Sequence, residues 1–453
     1  MKPFQVGLLG AGVVGGGTFA VLQRNQEEIR RRAGREIRIS HVADLDLGRA
    51  RAVAGGAAEV TSDARAVLQR PELDAVIELI GGTTIARTLV LEAIEAGKHV
   101  VTANKALLAV HGTEIFAAAR ENGVVVAFEA AVAGGIPIIK ALREGLTANR
   151  IEWIAGIING TTNFILSEMR EKRIDFAAAL ADAQRLGYAE ADPSFDIGGI
   201  DAAHKATIVS AIAFGVPVQF AKAYIEGIAE LQAADIAYAE QLGYRIKLLA
   251  ITKRRARGAL AAGSVAARET DAGTAGIELR VHPTLVPSRR LIANVEGAMN
   301  AVMVEGDAVG TTLYYGKGAG AEPTASAVIA DLVDIARLAT ADPDHRVPHL
   351  AFQPAAVQDL GVLPIDEVVT AFYLRLQVAD ETGVLARITG ILADHGISID
   401  ALLQRPSGAE ARTDVIILTH DTVEGRMTAA IAKMQALPTT LAKIVRIRKE
   451  ELA

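Results

Sequence analysis

The sequence contains no cysteine among its 453 residues, which excludes disulfide frameworks, thiolate metal sites and cysteine nucleophiles. Aromatic residues account for only 4% of the chain, and the formal net charge is −6. Nucleic-acid grooves combine basic patches with aromatic side chains, so this composition argues against a nucleic-acid partner. Hydrophobic residues make up 51% and charged residues 22%, which predicts two or three folded domains rather than a disordered chain.

Long apolar runs are also missing from the sequence. The longest stretch without a formal charge, 206–221, is too short to span a membrane and contains Gly215 and Pro217. At the amino terminus a strand-and-turn pattern begins within the first residues, which leaves no space for a signal peptide. We therefore expect no membrane partner and a cytoplasmic location.

A glycine-rich turn follows the first predicted strand, 4–9, and opens a helix predicted to run to about Arg32. Gly10 permits a tight turn, Gly12 lets the backbone approach a pyrophosphate, and Gly15 allows the helix to pack closely on the strand. The amino terminus of the helix then faces the phosphates. The residues predicted to bind a dinucleotide here are Gly10, Ala11, Gly12, Val13, Val14 and Gly15.

The second predicted strand, 37–43, leaves the choice of dinucleotide open. It ends at Asp44, whose carboxylate would bind the ribose hydroxyls of NAD. Arg49 and Arg51 lie close by and could instead receive the 2′-phosphate of NADP. Asp44 could also be an ordinary turn or helix-capping residue.

Three further predicted strands, 75–80, 99–102 and 124–128, alternate with helical segments. This alternation indicates a doubly wound, Rossmann-type parallel sheet. Lys105 lies just beyond the end of one strand, at the edge where such sheets bind ligands. It is therefore a candidate site residue, although most lysines in such a chain are simply solvated.

The remainder of the chain predicts two more domains. An α+β domain is expected after 130, with a hairpin near residue 306 and a glycine loop that starts at Gly316 and opens another helix. A proline-rich linker precedes strands and helices in the order βαββαβ, the ferredoxin-like arrangement. The predicted domains are 1–130, completed by about 316–345, then 131–315, a linker over 346–370, and 371–453.

Residues 183–205 form the richest stretch of the chain, with four carboxylates, a tyrosine and a lysine between two predicted helices. Asp201 suits the first turn of the second helix, and Lys205 follows one turn later on the same face. Such a pair can be a plain surface salt bridge. The segment that follows, 206–214, is nearly all apolar and must be a buried helix, so the pair lies at the mouth of a core, which favours a functional site.

This stretch resembles the signature of the homoserine dehydrogenase family. The matching residues are Ala183, Gly187, Tyr188, Ala189, Asp192, Pro193, Asp196, Ile197, Gly199, Asp201 and Lys205. Further similarity covers 10–15, 78–82, 103–105, 129–137, 159–163 and 316–324. The resemblance implies the NAD- or NADP-dependent interconversion of L-aspartate 4-semialdehyde and L-homoserine, on the route to threonine, methionine and isoleucine. The domain over 131–315 would then bind substrate and form a dimer.

The resemblance also implies residue roles. Lys205 would be the general acid in aldehyde reduction, and Lys105 and Asp201 the other catalytic residues, with Lys105 close to the nicotinamide as well. The substrate-binding residues would be Glu190, Asp196, Asp201, Gly160, Thr161 and Tyr188, with the carboxylates on the substrate ammonium. Additional contacts to the cofactor would come from Gly187 and Gly320. Carbonyl oxygens of Glu129, Val132, Gly134 and Ile136 would hold a monovalent cation, expected to be sodium. Asp196 could alternatively serve only an Asx turn.

The segment at about 372–448 resembles an ACT domain, a module that binds amino acids. The implied role is feedback by L-threonine between paired ACT domains, and a purely structural appendage is the alternative. We expect a homo-oligomer, either a dimer or a tetramer, because the second domain has more apolar segments than its size readily buries. An amino-acid sensor on a dehydrogenase scaffold is the rival function, against which the presence of Lys205 and the glycine turn argues.

Overall fold

The computed structural model describes residues 2–256, 274–338, 341–342, 346–404 and 411–452. Two β-sheets organise them, a parallel sheet of six strands and a mixed sheet of eleven. The strands are β1 (Phe4–Leu9), β2 (Ile37–Ala43), β3 (Glu59–Thr61), β4 (Ala75–Glu78), β5 (His99–Thr102), β6 (Val126–Ala127), β7 (Ile151–Ile157), β8 (Tyr224–Ile225), β9 (Tyr244–Ala256), β10 (Thr274–Pro287), β11 (Met299–Gly306), β12 (Gly310–Lys317), β13 (Val369–Ala379), β14 (Ile399–Gln404), β15 (Arg412–Thr419), β16 (Thr422–Val423) and β17 (Val445–Lys449). The α-helices are α1 (Val13–Arg24), α2 (Gln26–Ala33), α3 (Leu47–Ala54), α4 (Ala64–Leu68), α5 (Ile85–Glu95), α6 (Lys105–Glu121), α7 (Ile138–Lys140), α8 (Gly160–Lys172), α9 (Phe176–Arg185), α10 (Ser194–Ile197), α11 (Ile200–Phe214), α12 (Ala233–Gln241), α13 (Ala321–Leu338), α14 (Val384–Asp394) and α15 (Glu424–Gln435).

The first sheet has the strand order β3-β2-β1-β4-β5-β6 with every pair parallel, which confirms the predicted doubly wound topology. The order reverses between β1 and β4, so the crevice at their carboxyl ends is where such a sheet binds ligands. Phe4, Val6 and Leu8 of β1 are fully buried. A strand covered on both faces reads as a continuous apolar run, which is how this strand could be recognised in the sequence.

Three elements of this domain are shorter than predicted. The strand predicted over 124–128 covers only Val126–Ala127, because the amide of Val125 donates to the ring of His99 rather than to a strand carbonyl. The first helix breaks at Asn25, where the backbone has φ −106° and ψ 17°, and asparagine favours such breaks because its amide competes for backbone hydrogen bonds. The strand predicted over 75–80 ends at Glu78. There the Glu78 carboxylate accepts hydrogen bonds from the backbone amides two and three residues later, which turns the chain out of the sheet.

Helix α13 packs against the parallel sheet although it follows most of the second domain in sequence. A Cβ atom at Gly17 of α1 would lie 2.7 Å from the carbonyl oxygen of Ala321, so the two helices are in close contact. Ala325, Val328 and Leu332 of α13 are fully buried in the same core as β1. The chain therefore returns to the nucleotide-binding side after it has built the second domain.

The second sheet begins with strands of the middle domain, in the order β12-β11-β7-β9-β10. The predicted hairpin is confirmed, since β11 and β12 pair antiparallel with Glu305 opposite Thr311. Helix α11 lies against β9 and β10. Every residue over 206–214 is buried, as the sequence predicted for this segment.

The carboxy-terminal domain has the predicted βαββαβ order, formed by β13, α14, β14, β15, α15 and β17. Its sheet joins that of the middle domain, which the sequence did not predict. Strand β17 pairs antiparallel with β13 and parallel with β10, where Thr284 lies opposite Arg448. A shift in the position of β17 would therefore be felt directly by the middle domain.

Candidate active site

One buried carboxylate holds both lysines that the sequence singled out. The Nζ atom of Lys205 lies 2.7 Å from Oδ2 of Asp201, and the Nζ atom of Lys105 lies 3.2 Å from Oδ1 of the same residue. The side chain of Asp201 is only 6% exposed and that of Lys205 11%, whereas that of Lys105 is 35% exposed. Because Asp201 and Lys205 are one turn apart at the start of α11, their meeting follows from helix geometry. The approach of Lys105 depends on the fold.

A chain of hydrogen bonds positions Lys105 at the first residue of α6. Asn104 caps the helix, since its side-chain oxygen accepts a hydrogen bond from the amide of Leu107. The Thr102 hydroxyl accepts a hydrogen bond from the Asn104 amide and donates one to the buried carboxylate of Glu78, at 2.7 Å. The carboxyl ends of β4 and β5 are thus tied together just below the lysine.

Asn159 connects the carboxylates of the site and was not singled out from the sequence. Its Nδ2 atom donates hydrogen bonds to Asp196 at 2.7 Å and to Asp201 at 2.8 Å. Lys205 also donates to the carbonyl oxygen of Ile158, at 2.7 Å. Asn159 is the N-cap of α8 and the first residue of the segment 159–163, which resembles the family. That position is the feature of the sequence by which Asn159 could have been found.

The electrostatic environments of the two aspartates differ. Burial opposes ionisation of Asp201, but the charges of Lys205 and Lys105 outweigh it and hold the pKa of Asp201 well below its usual range. At Asp196, burial prevails and the charge of Asp201 adds to it, so the pKa is raised in spite of the hydrogen bond from Asn159. Asp196 therefore lacks a cationic partner as close as those of Asp201, and an added ammonium group would stabilise its charged form.

The other residues predicted to bind substrate differ in how firmly they are held near Asp196. The Thr161 hydroxyl donates to the carbonyl oxygen of Tyr188 at 2.7 Å and also lies in hydrogen-bonding range of Asp196. The Tyr188 ring packs on Phe164 with a centroid distance of 4.6 Å. Glu190 is exposed, and its side chain has no partner within the described ranges. The carboxylate of Glu190 is thus less firmly positioned than those of the two aspartates.

Two aromatic contacts at the site were also not predicted. The Lys105 ammonium lies 6.0 Å from the centre of the Phe195 ring. His204 is buried between Phe195 and Phe220, and burial lowers its pKa. Apolar rings beside a charged pair reduce access of water, which strengthens the electrostatic interactions there. The sequence gives little indication that these aromatic residues belong to the site, because isolated aromatic residues usually belong to a hydrophobic core.

The glycine turn after β1 fits a dinucleotide. Gly10 has φ +96°, and a Cβ atom there would lie 2.6 Å from the carbonyl oxygen of Leu79. At Gly15 a Cβ atom would overlap the backbone of Gly10, whereas at Gly12 it would meet nothing within 4 Å. No side chain caps the start of α1, so its amides are available to phosphate. Val13 and Val14 form the first turn of that helix.

Asp44 has a structural partner on each side. One oxygen accepts a hydrogen bond from the amide of Ala11 at 2.7 Å, and the other accepts from Arg49 at 2.7 Å. The amide of Asp46 donates to Asp44 as well, at 2.8 Å. The carboxylate therefore braces the glycine turn, while the Arg49 side chain is half exposed. Arg51 is exposed on the same helix, α3.

The remaining predicted ligand residues lie on glycine-containing loops. Gly187 follows α9 with φ +78° and is exposed, and Gly320 precedes α13 with φ +120°. The loop with the predicted cation-binding carbonyls packs against the second glycine loop: the amide of Gly135 donates to the carbonyl of Lys317 at 3.0 Å. The carbonyl of Ile136 accepts a hydrogen bond from the amide of Ile138 at 2.8 Å. Among the described residues, no group of three or more His, Cys, Asp or Glu side chains could hold a metal ion.

Beside this loop, two buried acids make stability depend on pH. Asp331 accepts a hydrogen bond from the amide of Glu129 at 2.8 Å, and Lys140 lies 3.7 Å away. Burial raises the pKa of Asp331 to about 6 and, with the charge of Asp331 adding to it, that of Glu129 to about 7. An acid whose pKa is raised on folding stabilises the fold fully below its unfolded pKa, and this contribution is lost as pH rises through the folded value.

We therefore expect the stability to decline as pH rises from about 4 to about 7, between the unfolded and folded pKa values of these two acids. Asp331→Asn keeps an acceptor for the Glu129 amide but removes one of the two titrating groups. The free energy of unfolding of this variant should therefore decline less over this pH range, by on the order of 2 kcal/mol. Melting curves across this pH range give the measurement, with Asp182→Asn, at a partly exposed carboxylate, as control. Equal declines in wild-type protein and Asp331→Asn would contradict the assignment.

The doubly wound sheet, its glycine turn and the lysine–carboxylate group at its carboxyl edge define a nicotinamide-dependent oxidoreductase. Three family profiles match the chain: "Homoserine dehydrogenase, NAD binding domain" over 10–129, "Homoserine dehydrogenase" over 137–333, and "ACT domain" over 372–439. The chain belongs to the homoserine dehydrogenase family. It catalyses the reversible reduction of L-aspartate 4-semialdehyde to L-homoserine with a nicotinamide cofactor.

Individual relatives match the chain over all or most of its length. A homoserine dehydrogenase from Pseudomonas aeruginosa is 58% identical over 459 aligned residues, with 100% of both chains covered. The crystal structure of a homoserine dehydrogenase from Thiobacillus denitrificans matches with a TM-score of 0.92 and 62% identity, over 100% of this chain and 99% of that one. A hyperthermophilic archaeal homoserine dehydrogenase in complex with NADPH matches at a TM-score of 0.60 and 25% identity, over 75% of this chain and 99% of its own. Within the described residues, no helix is long and apolar enough to cross a membrane.

Proposed function

We propose that Lys205 is the proton donor in aldehyde reduction and the proton acceptor in homoserine oxidation. The observation that carries this proposal is the shared carboxylate of Asp201, which holds the ammonium groups of Lys205 and Lys105. When bound, the nicotinamide supplies the hydride that the carbonyl carbon gains. Lys205 gives a proton to the carbonyl oxygen, so the product is a neutral alcohol.

Chemical rescue tests the role of Lys205. Lys205→Ala removes the ammonium group and leaves a space beside Asp201. Small primary amines added to this variant should restore part of the activity, because they supply the missing acid or base. Tertiary amines of similar basicity but larger size are the matched control. A variant that no primary amine activates, while its nucleotide affinity stays normal, would contradict the proposal.

Lys105 has a second, supporting role in this proposal. It binds the opposite oxygen of Asp201 and is more exposed than Lys205, so it is the cation nearer to the open side of the site. We assign it to orient Asp201 and to stabilise negative charge that develops on the substrate oxygen. Its place at the start of α6, at the carboxyl edge of the sheet, also suits contact with the nicotinamide end of the cofactor.

The substrate ammonium is assigned to Asp196 and Glu190. Asp196 is half-buried and lacks a cation as close as those of Asp201, and a charge-assisted hydrogen bond gains strength in such a partly desolvated environment. Gly160, Thr161 and Tyr188 line the same place. A Cβ atom at Gly160 would lie 2.7 Å from the carbonyl oxygen of Ala298, so the backbone there has no room for a side chain.

For the cofactor we propose NADP, with Arg49 as the residue that contacts its 2′-phosphate. Asp44 already accepts two backbone hydrogen bonds, which leaves it less able to bind a ribose hydroxyl. Arg49 is half exposed beside it. NADPH is bound in the archaeal relative, which is consistent with this choice.

Arg49→Ala should raise the KM for NADP by roughly tenfold, the equivalent of one charge-assisted hydrogen bond, and should change the KM for NAD little. Steady-state rates at saturating homoserine give both constants. Arg65→Ala, which breaks an exposed ion pair with Glu92, is the control. Equal changes for NAD and NADP would show that Arg49 supports the turn rather than the phosphate.

A monovalent cation is proposed on the loop at residues 129–136. Supporting this, Ala133 and Gly134 have positive φ angles of 55° and 47°, which turn successive peptide groups in a way that can converge carbonyl oxygens. A Cβ atom at Gly135 would lie 3.1 Å from the carbonyl oxygen of Lys317, so the loop is closely backed. The carbonyls assigned are those of Glu129, Val132, Gly134 and Ile136.

Regulation and assembly complete the proposal. We assign the ACT domain to feedback by L-threonine, the chain to a homo-oligomer, and the enzyme to the cytoplasm. The proposed domain limits remain those predicted from the sequence. In support of an oligomer, the edge strand β12 leaves the Tyr315 side chain 58% exposed. Sedimentation velocity should therefore give a dimer or tetramer, and a stable monomer at micromolar concentration would contradict this.

A further inference from the structure

A short segment of the middle domain lies between the active-site loop and the ACT domain. We call residues 224–228 the strap and residues 186–199 the acidic loop. The strap begins with β8, which pairs with β10, and the amide of Glu226 donates to the carbonyl of Val281 at 2.8 Å. Two residues later, the amide of Ile228 donates to the carbonyl of Ile197 at 2.9 Å. The strap is thus hydrogen-bonded to the acidic loop one residue beyond Asp196.

The contact between strap and acidic loop leaves no free space. A Cβ atom at Gly227 would overlap the carbonyl oxygen of Ile197 and would lie 2.8 Å from the Cα of Gly198. From the opposite side, a Cβ atom at Gly199 would lie 3.2 Å from a side-chain carbon of Ile225. Ile228 is fully buried. Because packed backbones cannot slide past each other freely, displacement of the strap must displace the acidic loop.

On its other side, the strap is held by a residue of the ACT domain. Arg448 of β17 is fully buried and forms an ion pair with Glu226 at 2.8 Å. The same guanidinium donates to the hydroxyl of Tyr224 at 3.0 Å and lies over its ring. The Tyr224 hydroxyl in turn donates to Glu226 at 2.7 Å. Glu424 binds the remaining face of Arg448, at 2.7 Å from Nε.

Both geometry and charge make this connection specific. A buried guanidinium needs its carboxylate partners in place, and their loss is costly because the remaining charge is left without compensation. A cavity of about 510 Å³ lies beside the strap and is lined by Glu226, Gly227 and Leu231 on one side and by Arg446 and Ile447 of β17 on the other. The strap therefore packs closely against the acidic loop on one side, whereas on the side of β17 the cavity leaves the ion pair as its main contact.

We infer that Glu226 is a positioning residue for the substrate. Through the Glu226–Arg448 pair, the ACT domain holds the strap against the acidic loop and so sets the position of Asp196. The inference rests on the proposed contact between Asp196 and the substrate ammonium. It gives the ACT domain a route to the substrate site that runs within one chain and does not pass through the nucleotide site.

Glu226→Gln tests this inference, since it keeps the size of the side chain and removes its charge. We expect the KM for homoserine to rise about tenfold, with kcat and the KM for the nucleotide within about twofold of wild type. Tyr224→Phe keeps the ion pair but removes the hydroxyl that donates to Glu226 and accepts from Arg448, and should raise the same KM about threefold. Glu230→Gln is the matched control. Glu230 also forms an ion pair with the carboxy-terminal domain, to Lys443 at 2.7 Å, but both side chains of this pair are exposed.

Asp196→Asn, alone and combined with Glu226→Gln, separates the inference from the proposed function. If Glu226 acts through Asp196, its effect on the KM should largely vanish in the Asp196→Asn background. An unchanged KM in Asp196→Asn alone would overturn both the substrate contact and the inference. A raised KM in Asp196→Asn but not in Glu226→Gln would overturn the inference alone. Should Glu226→Gln fail to fold, Tyr224→Phe decides, and a wild-type KM in it counts against the inference.

Discussion

Lys205→Met is expected to lower kcat for homoserine oxidation by about two to four orders of magnitude, the usual contribution of a general acid or base. Methionine fills the space of the lysine stem in this nearly buried position and cannot exchange a proton. Since Lys205 contacts Asp201 and the Ile158 carbonyl and not the glycine turn, nucleotide affinity should stay close to wild type. Stopped-flow absorbance of the reduced nicotinamide and nucleotide fluorescence titration measure the two quantities.

An exposed lysine supplies the control for this variant. Lys433→Met, in the last turn of α15, removes the same charge far from the site in sequence and should leave kcat unchanged. A Lys205→Met protein with kcat within about tenfold of wild type would show that another group transfers the proton. Lys105 would then be the first alternative, because it shares the Asp201 carboxylate.

Asp201→Asn is expected to damage both activity and stability. Two ammonium groups would lose their common anion, and Lys205 would be left as a nearly buried charge without a carboxylate. We expect a loss of about 3 kcal/mol in the free energy of unfolding, typical of breaking a buried ion pair. Because Lys205 would also be misplaced, we expect kcat/KM to fall about 100-fold. Urea denaturation and steady-state kinetics measure these effects separately.

A surface carboxylate with the same number of partners gives the matched comparison. Asp182 binds Lys172 and Arg185, each at 2.9 Å, but all three are partly exposed. Asp182→Asn should therefore change stability much less than Asp201→Asn and leave kcat/KM unaltered. If Asp201→Asn behaved in the same way, the Asp201 carboxylate would be a structural ion pair without a part in catalysis.

Local patterns in the sequence predicted much of the fold. The glycine turn was recognisable because Gly10 and Gly15 have no room for a side chain, a steric requirement that leaves a fixed spacing. The pair formed by Asp201 and Lys205 was equally easy to predict, since helix geometry alone brings residues four apart together. The βαββαβ order followed from alternating apolar periods in the same way.

What the sequence did not predict depends on contacts between distant segments. Asn159 joins Asp196 to Asp201 because α8 and α11 begin at the same place, which no local spacing encodes. The pairing of β17 with β10 unites two domains in one sheet, although each domain was recognised separately. The sequence left Asp44 open between a ribose ligand and a turn residue, and only its hydrogen bond from the Ala11 amide shows that it braces the glycine turn.

The placement of charge also explains why the site combines stability with reactivity. Asp201 contacts two ammonium groups, whereas Asp196, which lies in α10, is half-buried with a raised pKa. In the proposed mechanism, Asp201 positions the two lysines and Asp196 binds the incoming ammonium. This division of roles is the basis for assigning the proton transfer to Lys205 and the substrate contact to Asp196.

The most direct test of the account is the absorbance of reduced nicotinamide after L-homoserine is added to the protein with NAD or NADP, at mildly alkaline pH and with sodium or potassium present. We expect reduction that requires homoserine, is faster with NADP than with NAD, and is lost in Lys205→Met. Folded protein that binds nucleotide and yet reduces neither cofactor would contradict the assignment of homoserine dehydrogenase activity.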